Sequence, residues 1–269
     1  MIPASKLFAF TKRGFLHASS YRLNFVGTYL SGVLVIIFFA VLARFYQNAQ
    51  PAALAPYGDY FTFLLIGGVF ARYFSVGMRH FGRELEHELA AGTIEPVMVT
   101  ATSPALALLG PSLWMLIEGL VLMAIQFAIG AVVFGADFSR ADWSAAIVLS
   151  LLTITALNGW GIFSAAFVLA FKRADPLSWL VDVTIYMLAG VYFPVSVLPA
   201  GLRWAAYLLP LSHSLEGLRF ALMRGATLNE LWPYVFILFL FNVILLPASL
   251  FAFRVALNRV KREGSLGHY

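Results

Sequence analysis

His80, Glu84, His87 and Glu88 recur at i, i+4, i+7 and i+8 within "RHFGRELEHELA", a spacing that sets all four on one face of a helix. Imidazoles and carboxylates so arranged could hold zinc, or form the Glu-x-x-His element of a di-metal bundle. Such a site needs further ligands. The other histidines, His17, His213 and His268, fall in a basic leader, in a late connection and at the C-terminus. A second use is a plain solvated face. A third is docking: with acid on one side and Leu85, Leu89, Ile94 and Val97 on the other, a short helix over His80–Ala91, stopped by Gly92, presses into a groove on a partner. Docking is the preferred reading.

Three further ionisable residues stand inside apolar blocks. Arg72, Glu118 and Asp182 are each costly there, on the order of a few kcal/mol in hydrocarbon even by lenient scales. Arg72 lies seven residues from the inner end of its block, about 10 Å at 1.5 Å per residue, and Glu118 sits at a similar depth in the next. The expectation is an Arg72–Glu118 pair between the second and third helices, with separate snorkelling as the alternative. Asp182 lies one to two turns inside its helix, within reach of the interface.

The elements that must position these residues are membrane helices. The 269 residues are 61% hydrophobic and 12% charged, about half the charged fraction of an ordinary soluble domain. Six apolar blocks reach the roughly 20 residues that a helix needs to cross hydrocarbon: Leu23–Ala43, Tyr60–Met78, about Leu106–Ala136, Trp143–Phe171, Pro176–Gly201 and Leu231–Phe253. Strands of alternating polarity would not produce such continuous runs. The expected fold class is an all-α integral membrane protein of one domain over 1–269.

Lys and Arg in the connections set the expected orientation. With a cytoplasmic N-terminus, twelve cations fall inside (Lys6, Lys12, Arg13, Arg22, Arg79, Arg83, Lys172, Arg173, Arg254, Arg259, Lys261, Arg262) and five outside (Arg44, Arg140, Arg203, Arg219, Arg224). Both ends are therefore placed in the cytoplasm, and the net charge of +5 reads as topology, with no nucleic-acid partner. Residues 1–22 mix aromatics with cations, as suits a helix lying at the interface near lipid headgroups, and are read as retained rather than as a signal peptide. With no cysteine, disulfide and thiolate chemistry are excluded. The connection 193–230 is too apolar for a solvated loop. Pro194, Pro199 and Pro210 cut it into two expected short helices, roughly 200–209 and 212–224, dipping into the outer leaflet.

Two stretches carry a resemblance. "ELAAGTIEPVMVTATSPALALLG", with Glu88, Gly92, Thr93, Ile94, Glu95, Thr102, Ser103, Pro104 and Leu108-Leu109-Gly110, resembles the cytoplasmic segment of ABC-2 type ABC transporter permeases. "GVYFPVSVLP…LLPLSHSLEGLRFALMRG" resembles that family's fifth helix and re-entrant extracellular helices, with Phe193-Pro194, Leu198-Pro199, Pro210, His213, Arg219 and Gly225 in matching places. Leu89, Ala90 and Ala91 depart from the charged or polar residues common in relatives.

The resemblance implies a coupling helix, carried here by Glu84, Glu88, Gly92, Thr93 and Glu95, held in a cleft of a separate ABC ATPase. It also implies six spans, a second permease copy or close relative, membrane lipids as surroundings, and export from an inner (plasma) membrane of an amphipathic, lipid-linked or polysaccharide substrate. No Gly-x-x-x-x-Gly-Lys-Ser/Thr phosphate loop occurs in the chain, so ATP and Mg are expected on the partner subunit, and no cofactor on this one. Two rival readings are a membrane-embedded metal enzyme and a non-transporting assembly or sensor subunit tied to an ATPase.

Overall fold

The computed structural model describes residues 4–46, 52–90, 104–171, 183–184 and 186–263, and every regular element among them is helical. In chain order these are α1 (Ala4–Ser20), α2 (Arg22–Tyr46), α3 (Tyr60–Ala90), α4 (Pro104–Phe134), α5 (Trp143–Phe171), α6 (Ala200–Tyr207), α7 (Pro210–Arg224) and α8 (Trp232–Glu263), with 3-10 turns at Ala52–Tyr57 and Val195–Val197. A backbone without water to bond must satisfy its own amides and carbonyls, which long apolar runs achieve as helices. Arg22–Tyr46, Trp114–Phe134, Trp143–Phe171 and Trp232–Arg259 are each long and apolar enough to cross a membrane, and Tyr60–Val76 is a shorter apolar helix.

Two sequence expectations need correction. The block Pro176–Gly201 is not one helix to its end. Residues 172–182 and 185, Asp182 among them, lie outside the described residues, and the helical stretch 186–188 stops at Leu188. Gly190 turns the chain there at φ 81°, in a left-handed conformation that side chains disfavour. Pro194 and Pro199 then flank the starts of the next two helical turns. The second correction concerns the charged stretch. It is not a separate rod but the continuation of the second span: α3 runs unbroken from Tyr60 to Ala90. Glu, Leu, Arg and His are adequate helix formers, so the change of polarity at Arg79 carries no break with it.

α5 lies at the centre, packing on α3, α7 and α8, while α3 also meets α2, α4 and α7. One core joins Phe70 and Phe74 of α3 to Leu149 and Leu157 of α5, Leu215 and Leu218 of α7 and Leu238 of α8. A second joins Ile36 and Phe39 of α2 to Phe61, Leu64 and Leu65 of α3. In lipid, packing apolar faces together gains little transfer free energy, so close approach and buried polar contacts hold helices together. Such contacts are present among the described residues. Asn242 Nδ2 donates to the Leu152 carbonyl at 2.8 Å, Gln126 Nε2 donates to the Gly32 carbonyl at 3.0 Å, and the Thr153 and Ser214 hydroxyls lie 2.6 Å apart.

The bundle has an aromatic end and an α1 end. At the first, Tyr46 meets Tyr60 at 5.7 Å, Phe61 meets Phe134 at 5.4 Å, and Tyr57 stacks on Phe220 at 5.8 Å. At the other, Phe15 of α1 packs edge-on against Trp114 of α4 at 5.1 Å. Two helices start at the aromatic end with aspartate caps. Asp59 Oδ2 accepts from the Thr62 amide at 2.8 Å and its Oδ1 from the Phe61 amide at 3.3 Å. Asp142 Oδ1 accepts from the Ser144 hydroxyl at 2.6 Å and the Ala145 amide at 2.9 Å. Those two donors, the Ser144 hydroxyl foremost, hold the Asp142 carboxyl below its ordinary range.

Candidate functional site

α7 begins with Pro210 at its first position and ends at Gly225, whose φ of 70° supplies the left-handed cap. Both match the usual asymmetry of helix ends. Leu211, Leu215, Leu218 and Leu222 recur at helical spacing and are fully buried, which drives this helix into the bundle. Arg219 is carried in with them and is only 3% exposed.

A buried guanidinium must find acceptors, and here they are backbone carbonyls. Nη1 donates to Gly190 O at 2.8 Å, and Nη2 donates to Val191 O at 3.0 Å. Nε and Nη2 both reach Phe63 O at 3.3 Å. The carbonyls of Gly190 and Val191 belong to no helix, because the helical stretch has already stopped at Leu188 and the chain turns at Gly190. The planar fork of arginine suits three divergent oxygens, where a lysine would present a point charge. Its face lies over the Phe63 ring, 3.4 Å from the centroid. Gly67, one turn further along α3, leaves room: a Cβ there would stand 2.3 Å from Arg219 Nη2 and 2.5 Å from Val191 O.

Further ties fix the same segment. Tyr60 Oη donates to Tyr192 O at 3.0 Å. Arg203 Nη2 donates to Ser196 O at 2.6 Å and Leu198 O at 3.0 Å, folding the turn between Pro194 and Pro199. His213 Nε2 lies 2.9 Å from Tyr207 O and its ring stacks on Tyr207, which closes the corner between α6 and α7. Of the residues expected in this segment, Arg219 reaches the start of α3 in a knot of main-chain carbonyls, His213 holds the corner between α6 and α7, and Pro194, Pro199 and Pro210 stand at helix starts.

The expected Arg72–Glu118 contact is not formed. Arg72 Nη2 donates to Ser31 Oγ at 3.1 Å, and Ser31 in turn donates to Thr28 O at 2.8 Å. The guanidinium is directed to α2, whereas Glu118 stands half-buried on α4. Glu84 and Glu88 occupy the last turns of α3, with side chains outside what the structure describes, and Gly92, Thr93 and Glu95 lie outside the described residues. From Phe63 to Glu88 is 25 residues of one helix, about 38 Å at 1.5 Å per residue. α3 therefore joins the Arg219 knot at the aromatic end to the charged turns at the other.

A family model described as the ABC-2 type transporter matches residues 6–223. The chain belongs to that family. A search among curated proteins found no match. The matched range runs from α1 through all but the last residue of α7, so it contains both the charged end of α3 and the Arg219 knot. As a member of the ABC-2 family the chain is a multi-pass membrane protein and the permease part of a transporter, not the catalytic part. The partners of Arg219 were hidden from sequence reasoning. Its acceptors are main-chain oxygens, which leave no side-chain signature, and the nearest available signal was a lone arginine among leucines facing a Gly-Val step before a proline.

Proposed function

We propose that this ABC-2 type chain is one half of the membrane part of an ATP-driven exporter. Six helices span the membrane, both termini are cytoplasmic, α1 lies along the inner interface, and α6 and α7 are re-entrant from the outer face. ATP is hydrolysed by a separate ABC ATPase that grips the charged end of α3 through Glu84 and Glu88 and the following Gly92, Thr93 and Glu95. A second copy, or a close relative, completes the pathway in an inner (plasma) membrane. The cargo is amphipathic, lipid-linked or a polysaccharide, since no ring of charge favours a small ion.

The observation that carries this reading is the unbroken course of α3. A displacement applied at its charged turns is delivered along one rigid element to the Arg219 knot, which holds the outer segment. No hinge intervenes to absorb it. The test is reconstitution with the cognate ATPase in vesicles. The reading expects ATP-dependent movement of cargo that is lost in Glu84→Ala/Glu88→Ala while the protein still inserts. Full transport by that double variant, or transport without any ATPase, would overturn it.

A further inference from the structure

Where α2, α3 and α4 reach the aromatic end, their tips enclose a cavity of about 510 Å³, within the size range of sites that bind small organic molecules. Its walls include Arg44 and Tyr46 of α2, Asp59 and Tyr60 at the start of α3, and Phe134 at the end of α4. It lies beside the Arg219 knot, sharing Tyr60 with it, and the coupling described above does not draw on its Arg44.

Two charged side chains line the cavity, Arg44 and Asp59. Among the described residues Arg44 makes no hydrogen bond or ion pair, whereas Arg72, Arg203, Arg219 and Arg224 each donate to oxygens of the chain. The carboxylate in the cavity is already committed, because both oxygens of Asp59 accept from the first turn of α3. The lining rings Tyr46 and Tyr60 pack against each other edge to face. Val133 of the lining is 67% exposed, and Phe45 and Val132, next in sequence to the lining residues Arg44 and Val133, are 79% and 86% exposed, an apolar surface suited to hydrocarbon. A guanidinium with no partner among the described residues, at the head of a lipid-facing groove, fits an amphiphile with an anionic end.

We propose that this cavity holds the phosphate-bearing headgroup of a membrane phospholipid, with Arg44 as its counter-ion and the acyl chains along Phe45, Val132 and Val133. The planar fork of arginine matches phosphate oxygens in pairs. The site lies where three apolar helices end, which is the level of the headgroups, and tyrosines favour that level. The assignment needs neither the ATPase nor a second copy, so it stands or falls apart from the transport reading.

The test uses the full chain in dodecyl maltoside micelles, which carry no phosphate. The protein is photolabelled with phosphatidylglycerol bearing a diazirine on its acyl chain, and in parallel with the diacylglycerol of the same chains. Adducts are mapped by mass spectrometry, with labelling of the α8 face around Phe236–Leu240 as internal reference. The phosphatidylglycerol adducts should concentrate on 40–46 and 132–135, exceeding the diacylglycerol adducts there by about fivefold or more, as the loss of one charge-assisted contact implies. Arg44→Gln should bring the two lipids level at that site, and Arg44→Lys should keep most of the difference. Equal labelling by both lipids in the unaltered chain, or an Arg44→Gln variant that still prefers phosphatidylglycerol, would overturn the proposal. So would displacement of the lipid by equimolar glycerol 3-phosphate, which would assign the cavity to a soluble phosphate instead.

Discussion

The guanidinium carbon of Arg219 lies 3.4 Å from the centroid of the Phe63 ring while its nitrogens hold the Phe63 carbonyl at 3.3 Å. One residue of α3 thus meets the cation with both its face and its backbone. Arg219→Lys should keep the charge yet lose most of this. A single ammonium cannot reach Phe63, Gly190 and Val191 together, and each lost hydrogen bond to a charged group is worth about 1.5–3 kcal/mol. The expected result is a destabilisation of about 2 kcal/mol or more, read by unfolding in mixed detergent micelles. Arg219→Met removes the cation along with its need for partners, and should lose less than the lysine variant. A lysine variant as stable as the parent would mean that the carbonyl contacts contribute nothing.

Gly67 stands where a side chain would strike both partners of the knot. A Cβ there would come within 2.3 Å of Arg219 Nη2 and 2.5 Å of the Val191 carbonyl, and the second of these is backbone and cannot swing aside. Gly67→Ala should therefore cost about 1–3 kcal/mol, the usual range for overpacking, although alanine is the better helix former. Combined with Arg219→Met, the cost should be less than the sum of the two, because both changes strike one contact. Strict additivity in that double-mutant cycle would separate Gly67 from the knot.

Much of this architecture was legible in the residues, and the misses have physical causes. Trp143–Phe171 reads as a helix from end to end because nothing in it is charged, and α5 spans those very residues. Pro194, Pro199 and Pro210 marked the two short helices, since proline favours helix starts. The stop at Leu188 was not visible: Gly190 sits inside an apolar run, where glycine also serves close helix packing. The continuity of α3 was missed because the eye reads charge as an end, whereas helix propensity ignores it. Arg72 was matched to the wrong partner because a serine hydroxyl on α2 competes with a carboxylate on α4 at similar depth, and sequence supplies no rotation about the helix axis. Arg44 looked like one more flanking cation until the cavity beside it appeared.

Asp142 links pH to the start of α5. Its carboxylate accepts from Ser144 and Ala145, and its own amide donates to Ala221 of α7 at 3.0 Å. Because the folded carboxyl titrates below its ordinary value of 3.8, its contribution to stability is complete above that value and disappears as pH falls through the lower folded one. Asp142→Asn keeps a capping oxygen without the charge. The variant should match the parent closely near neutrality and show a shallower loss of stability on acidification below about pH 4. Identical acid profiles for the two proteins, followed by circular dichroism in detergent, would show that this carboxylate plays no part.

The coupling assignment makes the sharpest functional prediction, because it separates two activities of one complex. If the ATPase grips the last turns of α3, then Glu84→Ala/Glu88→Ala should weaken the grip. The reconstituted complex should keep its insertion and its detergent stability. It should also keep basal ATP hydrolysis in the partner, but lose cargo movement by about tenfold or more, the factor that corresponds to 1.4 kcal/mol of lost coupling. Gly92→Pro, just past the described end of α3, should act the same way by altering where the helix stops. A rigid connection adds a further expectation. Inserting four alanines after Gly82 lengthens α3 by about 6 Å and rotates its charged face by roughly 40°. That should uncouple transport as thoroughly as removing the carboxylates. Transport that survives the insertion unchanged would show that α3 does not carry the stroke, even if the glutamates bind the motor.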